Sequence, residues 1–333
     1  MWDAVDSLVE RAPDLTALRY HRLQLLAAWR GRADAPELAR ERVMAHAVEL
    51  AVPAVLARAR AAWDGPLVLV KGPEVALDYP APATRPFGDL DLLVADAGAA
   101  QRALLAAGFR EAGDPRIYEH IHHLRPLWWP GTPVFLELHS RPKWPEGLLA
   151  PPTGELLAAS EPSRLGIAGV ETLPTAHHAL LLAAHAWAHQ PLARAGQLLD
   201  VAVTAGRTDA AELRALARAW GIRRLWRTTR SAADALLGGS GRTPAWSRHL
   251  GAARERTVLE RHVQECLAPL WGLPPAQALP AAARGLAGAM IRDEGEGWRS
   301  KLARSRRAVG NARLAKSEHD RRLAALGGEG QQP

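Results

Sequence analysis

The sequence predicts an α/β protein of the α+β kind, with one mixed-sheet domain held between N-terminal helices and a C-terminal helical domain. Three observations carry this. Apolar residues recur at helical spacing on both sides of a middle stretch. That middle stretch holds short apolar runs bounded by glycine and proline, as buried strands require. Two of those runs alternate acidic residues with leucine, the period-two pattern of a strand with one apolar face.

Taken in order, residues 1–63 read as helices. Leu18, Leu23, Leu25, Leu26 and Trp29 form an apolar stripe, and Glu37 to Trp63 continues it, with Pro53 expected to kink or divide the run. Pro66-Leu67-Val68-Leu69-Val70 between Gly65 and Gly72 suits a buried strand, and Asp89-Leu90-Asp91-Leu92-Leu93-Val94 a second. Residues 97–107 predict a helix. The segments Arg116–Trp129, Pro133–Ser140 and Gly166–Leu173 carry further strands. From Thr175, which caps AHHALLLAAHAWAHQ, helices follow near 194–206, 209–220, 222–237, 248–269 and 297–325. The divisions are therefore 1–63, 64–173 for the strand-bearing domain, 174–326 for the helical domain, and a disordered tail at 327–333.

At 333 residues the chain has room for two domains. No run approaches the ~18–20 apolar residues of a membrane span, and the acidic, amphipathic start lacks a secretory pattern. Cys266 is the single cysteine, which excludes an internal disulfide framework and any multi-cysteine metal site. These features point to the cytoplasm and to no membrane partner. The net charge of +7 is carried almost wholly by arginine, the lysines being Lys71, Lys143, Lys301 and Lys316. Much of the excess lies in the tail, Arg299 to Arg322, which reads either as a solvated final helix or as a surface for phosphate backbones or a partner. No aromatic residue interleaves with Arg304, Arg306, Arg307, Arg313, Arg321 and Arg322 to stack bases, so a non-nucleic-acid partner is favoured.

The candidate chemistry begins at Asp89 and Asp91. Residues two apart in a strand project together, so these carboxylates stand side by side while Leu90 and Leu92 face the core. A water-exposed polar strand face is the commoner explanation of an isolated pair; a cation between the two carboxylates is the other, since alone they repel. Pro133–Ser140 repeats the device, with Phe135, Glu137 and His139 on one face. Glu137 would supply a third carboxylate, and three can hold two metal ions ~3.5–4 Å apart for phosphoryl or nucleotidyl transfer. At Val70-Lys71-Gly72-Pro73-Glu74 glycine allows close approach of a phosphate to the backbone, and Lys71 could neutralise it or snorkel from the strand end. Arg85, upstream of the carboxylates, is a second phosphate candidate.

KGPE, then TRPFGDLDLLV, a helix followed by GF, and FLELHSRP together resemble the uncharacterised bacterial nucleotidyltransferase family of the polymerase-β-like superfamily. The resemblance covers residues 64–145 well, and His185 and Leu199-Asp200 more loosely. It implies a nucleotidyltransferase-type sheet, Gly72 at the nucleotide turn, metal on Asp89 and Asp91, and Glu137 as the third acidic residue. The metal would be magnesium or manganese, with a nucleoside triphosphate as co-substrate. Where the superfamily has serine or a second glycine after the turn glycine, this chain has Pro73, which has no amide hydrogen to donate.

On this reading the protein moves a nucleoside monophosphate to an acceptor hydroxyl or amine and releases pyrophosphate. Asp89 and Asp91 hold the metal, Glu137 completes the site and helps deprotonate the acceptor, and Lys71, Arg85, Gly72 and His139 contact the nucleotide. A small-molecule, peptide or protein acceptor is favoured over RNA. Two other readings stand beside it. One is a partner-binding protein that keeps the fold and has lost transfer. The other is a zinc hydrolase on His185 and His189, although Ala186 stands where a zinc protease has its glutamate. His120, His122 and His123 could contact substrate or serve structure.

Overall fold

A computed structural model describes residues 1–34, 36–113, 124–290 and 297–311. His120, His122 and His123, and the tail arginines Arg313, Arg321 and Arg322, lie outside them. The chain forms a mixed α/β structure with a seven-stranded sheet, as its pattern predicts.

Three short helices open it: α1 (Trp2–Arg11), α2 (Leu15–His21) and α3 (Gln24–Trp29). In α1, Val5, Leu8 and Val9 fall at core spacing and are buried. Asp14 caps α2 by accepting from the Ala17 amide at 2.8 Å. The stripe from Leu18 to Trp29 is one run in sequence but two helices in space, because Arg22 between them adopts a left-handed backbone (φ 60°). Helix α4 (Pro36–Ala62) then runs as a single assigned helix through Pro53. Pro53 is exposed, and the expected division of this run is not seen.

The sheet is built from β1 (Val68–Leu69), β2 (Asp89–Leu93), β3 (Arg110–Glu111), β4 (Leu127–Trp128), β5 (Phe135–His139), β6 (Glu161–Pro162) and β7 (Glu171–Thr172), in the order β3-β4-β5-β2-β1-β7-β6. β2 runs parallel to β5 and β1 parallel to β7, while the other pairs are antiparallel. Between these strands lie α5 (Pro73–Ala76), α6 (Ala97–Ala106) and α7 (Thr153–Ala158). The strand expected over Gly166–Leu173 shrinks to β7. Gly166 and Gly169 both take positive φ, which turns the backbone before pairing can begin.

Beyond the sheet come α8 (Thr175–His189), α9 (Ala195–Ala205), α10 (Ala210–Ala219), α11 (Arg223–Leu237), α12 (Arg248–Gly251), α13 (Val258–Leu267), α14 (Pro269–Gly272), α15 (Pro275–Met290) and α16 (Trp298–Asn311). The single helix expected near 248–269 is interrupted. Ala253 turns left-handed (φ 47°), and Thr257 with Glu260 forms a capping box that starts α13 afresh. Helix α15 occupies a stretch the apolar pattern did not assign.

Apolar packing places the two sides of the sheet. Leu90 and Leu92 of β2 and Leu136 and Leu138 of β5 join Val52, Val55 and Leu56 of α4 and Leu104 of α6. On the opposite face Val68, Val70 and Leu93 pack with Leu181 of α8. A third cluster unites α1–α3 with α8–α12, so the N-terminal helices share apolar surface with the helices that follow the sheet. Helix α8 thus lies over the sheet face from which the acidic side chains project.

Candidate functional site

The parallel register of β2 and β5 sets the site. Asp91 pairs with Glu137, Asp89 with Phe135 and Leu93 with His139. Since side chains alternate, Asp89, Asp91, Glu137 and His139 share the face turned from Leu90 and Leu136. Asp91 is buried, at 2 % exposure, and His139 Nε2 lies 3.2 Å from its Oδ1 and 3.7 Å from Glu137 Oε2. Lys71 Nζ sits 2.7 Å from Asp91 Oδ2 and 3.5 Å from Asp89 Oδ2.

These contacts set the charges. Burial works to raise the Asp91 pKa, but the His139 hydrogen bond and the Lys71 ammonium outweigh it and hold the carboxyl well below its usual range. Burial works to lower that of Lys71, and Asp91 and Asp89 outweigh it, so the lysine stays charged. Glu137 is pushed up, first by burial and then by the negative charges of Asp91 and Asp89.

Asp91, Glu137 and His139 each offer a ligand atom, all within 4.8 Å of one another. Ligands on opposite sides of one divalent ion are roughly 4–5 Å apart, given metal–oxygen distances of ~2.0–2.6 Å, so the three fit a shared ion. Asp89 stands beside this group, drawn in through Lys71. Two carboxylates and one imidazole form a donor set open to magnesium and more welcoming to manganese, because imidazole suits the transition metals.

Gly72 has φ 69°, and a Cβ there would meet the Asp89 carbonyl oxygen at 3.1 Å. Both the left-handed turn and the close approach of β2 require glycine. Pro73 follows as the first residue of α5, where its missing amide costs the helix nothing. Glu74, 1 % exposed, accepts from Ser163 Oγ at 2.7 Å and Arg164 Nε at 2.6 Å, which fastens the turn to the far end of the sheet.

Arg85 lies on the other side of this turn. Its Nε and Nη2 each donate to Asp200 at 2.8 Å, and Nη1 donates to the Gly72 carbonyl at 3.1 Å. Tyr79 donates to the same Asp200 at 2.7 Å. Burial works to lower the arginine's pKa, but Asp200 carries it above its ordinary value.

Lys71, Arg85, Asp89, Asp91, Glu137, His139 and Asp200 line one cavity of about 970 Å³. Its opposite wall is helical: His185 and His189 of α8, then Gln190, Arg194, and Gln197 of α9. Burial pushes His189 down to about 4 and His185 well below its ordinary value, so both are neutral near pH 7. Lys143 Nζ is 2.8 Å from His189 Nε2.

Asp200 and the Ser163–Arg164 pair were missed as neighbours of the turn, and Arg194 as part of the opposite wall. Only Leu199-Asp200 left a trace in the sequence pattern. Ser163 and Arg164 gave none, because their contacts with Glu74 span 89 and 90 residues.

A mixed sheet with paired carboxylates beside a glycine turn is the architecture of a nucleotidyltransferase. The model of a family described as uncharacterised nucleotidyltransferase matches residues 17–238, and the chain belongs to that family. The match reaches from α2 to the end of α11 and includes every site residue named above. No curated protein and no solved structure matches the chain.

Proposed function

We propose that this protein is a metal-dependent nucleotidyltransferase that moves a nucleoside monophosphate from a nucleoside triphosphate to an acceptor hydroxyl or amine. The observation that carries the reading is the parallel β2–β5 register, which brings Asp91, Glu137 and His139 within one ion's reach inside a ligand-sized cavity.

Asp91, Glu137 and His139 would hold the ion, with Asp89 completing the acidic face. When bound, that ion supplies Lewis-acid polarisation of the phosphates and stabilises the departing pyrophosphate. Lys71 keeps one Asp91 oxygen and presents its charge towards the phosphates. Glu137 accepts the proton of the attacking hydroxyl or amine as the acceptor atom bonds to the α-phosphorus and the bond to pyrophosphate breaks. Arg85, committed to Asp200 and to the Gly72 carbonyl, keeps the turn in shape and leaves phosphate contact to Lys71. The helical wall of α8 and α9 shapes the acceptor pocket. A small molecule, peptide or protein fits this enclosed site better than RNA does.

The decisive experiment incubates the protein and a cell extract with α-labelled nucleoside triphosphates and identifies what becomes labelled. Label transfer lost in Asp91→Asn supports the reading; no transfer with any triphosphate in the presence of magnesium or manganese overturns it.

A second reading, a binding protein that has lost transfer, is favoured by two observations. Lys71 already neutralises Asp91 at 2.7 Å, and Pro73 offers no amide beside the turn. Magnesium or manganese bound without label transfer would select it.

A further inference from the structure

The cavity holds more positive charge than its carboxylates can balance. Lys71 is paired with Asp91, Arg85 with Asp200 and Arg125 with Glu111, and Glu137 faces His139. Asp89, the fifth carboxylate of the lining, shares Lys71 at 3.5 Å, so all five are engaged. Arg22, Arg141, Lys143 and Arg194 also line it, and among the described residues none has a carboxylate within 4.0 Å.

Two of these cations are brought together by the backbone. Gly196, in the first turn of α9, approaches the end of α2 so closely that a Cβ would meet the His21 carbonyl oxygen at 2.7 Å and Arg22 Cβ at 3.2 Å. Arg194, immediately before α9, is thereby set near Arg22. Arg194 is half-buried, and burial first, then the charge of Arg22, lowers its pKa. Leaving a partly desolvated cation beside a like charge is unfavourable unless an anion joins them. Arg22 bears a second cost, since its left-handed φ of 60° is one that glycine adopts freely. Lys143, whose charge acts with those of Lys71, Glu137 and Asp91, has the neutral His189 ring at 2.8 Å.

We propose that Arg22 and Arg194 form a seat for a phosphoryl group across the cavity from the acidic face. Guanidinium forks match phosphate oxygens two at a time, and the positive end of α9 adds to the attraction. The cavity volume is at the upper end of the ~300–1,000 Å³ range of ligand pockets, room enough for a ligand touching both walls. The nucleotide-transfer reading enters only in deciding which molecule carries the phosphoryl group, the triphosphate or the acceptor. The charge excess stands without it.

The test is calorimetric titration of the full chain with pyrophosphate, without divalent metal, in the parent, Arg22→Gly and Arg194→Gln. The parent should bind, and each substitution should weaken binding about tenfold or more. Glycine relieves the left-handed backbone at position 22, so Arg22→Gly should melt at the parent's temperature or above it, and its loss of binding cannot be ascribed to misfolding. Titration of the same variants with magnesium–ATP then assigns the source. Parallel weakening gives the seat to the nucleotide's phosphates; ATP affinity within about twofold of the parent gives it to a phosphorylated acceptor. A parent that does not bind pyrophosphate, or variants that bind it undiminished, overturns the seat. Absent metal binding or absent label transfer bears on the transfer reading alone.

Discussion

Buried charge is handled in two ways on either side of the Gly72 turn. At Arg85 and Asp200 the geometry is closed: two parallel donations at 2.8 Å, a third from Tyr79, and the remaining guanidinium nitrogen spent on a backbone carbonyl. At Asp91 the geometry is open. Lys71 reaches one oxygen as a point charge, His139 reaches the other at 3.2 Å, and the carboxylate faces a cavity with Glu137 beside it. In the first arrangement every guanidinium nitrogen and both carboxylate oxygens already have a partner. The second can exchange a partner for an ion without leaving a charge bare. Saturation separates the ion pair that shapes the turn from the one available for chemistry.

The largest effect that could break this contrast is on the closed side. Arg85→Ala removes the buried partner of the half-buried Asp200 and leaves it only Tyr79, and should cost about 3–5 kcal/mol in urea unfolding. A loss below about 1 kcal/mol would show that the pair is not what holds the turn. Closed burial also extends to histidine. Burial pushes His21 down to about 3, and His178 and His249 each to about 4. Because these folded values lie below the unfolded ~6.5, the unfolded chain binds more protons between them. The stabilisation is full above about pH 6.5 and declines as pH falls towards 4, by at most about 1.4 kcal/mol per pH unit per histidine. Urea midpoints that stay level from pH 7 to 4.5 would remove these three from the closed set.

On the open side the effects should appear in binding. Asp91→Asn should weaken manganese binding at least about tenfold, equivalent to ~1.4 kcal/mol, while destabilising the fold less than Arg85→Ala does. Calorimetry and urea unfolding on the same preparations test both halves. A smaller stability change than for Arg85→Ala is expected for Lys71→Met, since the thioether chain keeps the packing and His139 still reaches Asp91. Triphosphate affinity should nevertheless fall. Undiminished affinity would make Lys71 a structural partner of Asp91.

The carboxylate face was legible because it is local. Period-two alternation fixed which residues of β2 and β5 point together, and the leucines between them fixed which face is core. Helices α6, α9, α10 and α11 were legible for the same reason. What remained hidden depends on distance along the chain. Arg85 looks like a phosphate ligand until Asp200 is found against it, 115 residues on. The break at Arg22 was concealed because its apolar neighbours keep helical spacing through it, and a left-handed arginine has no composition signal. The interruption after Gly251 could have been read from Thr257 and Glu260, whose capping-box spacing marks a new start.

Helix α9 fixes a length. Arg194 stands at its beginning, and Asp200, six residues on, is clasped by the arginine that holds the Gly72 carbonyl. At ~1.5 Å of rise per residue the two are separated by about 9 Å along a rigid axis. The helix therefore works as a ruler laid between the turn and the far wall. If the proposed seat at Arg194 holds a phosphoryl group, ligands would be sorted by span as well as by charge: one too short would let go of an end, and one too long would bend.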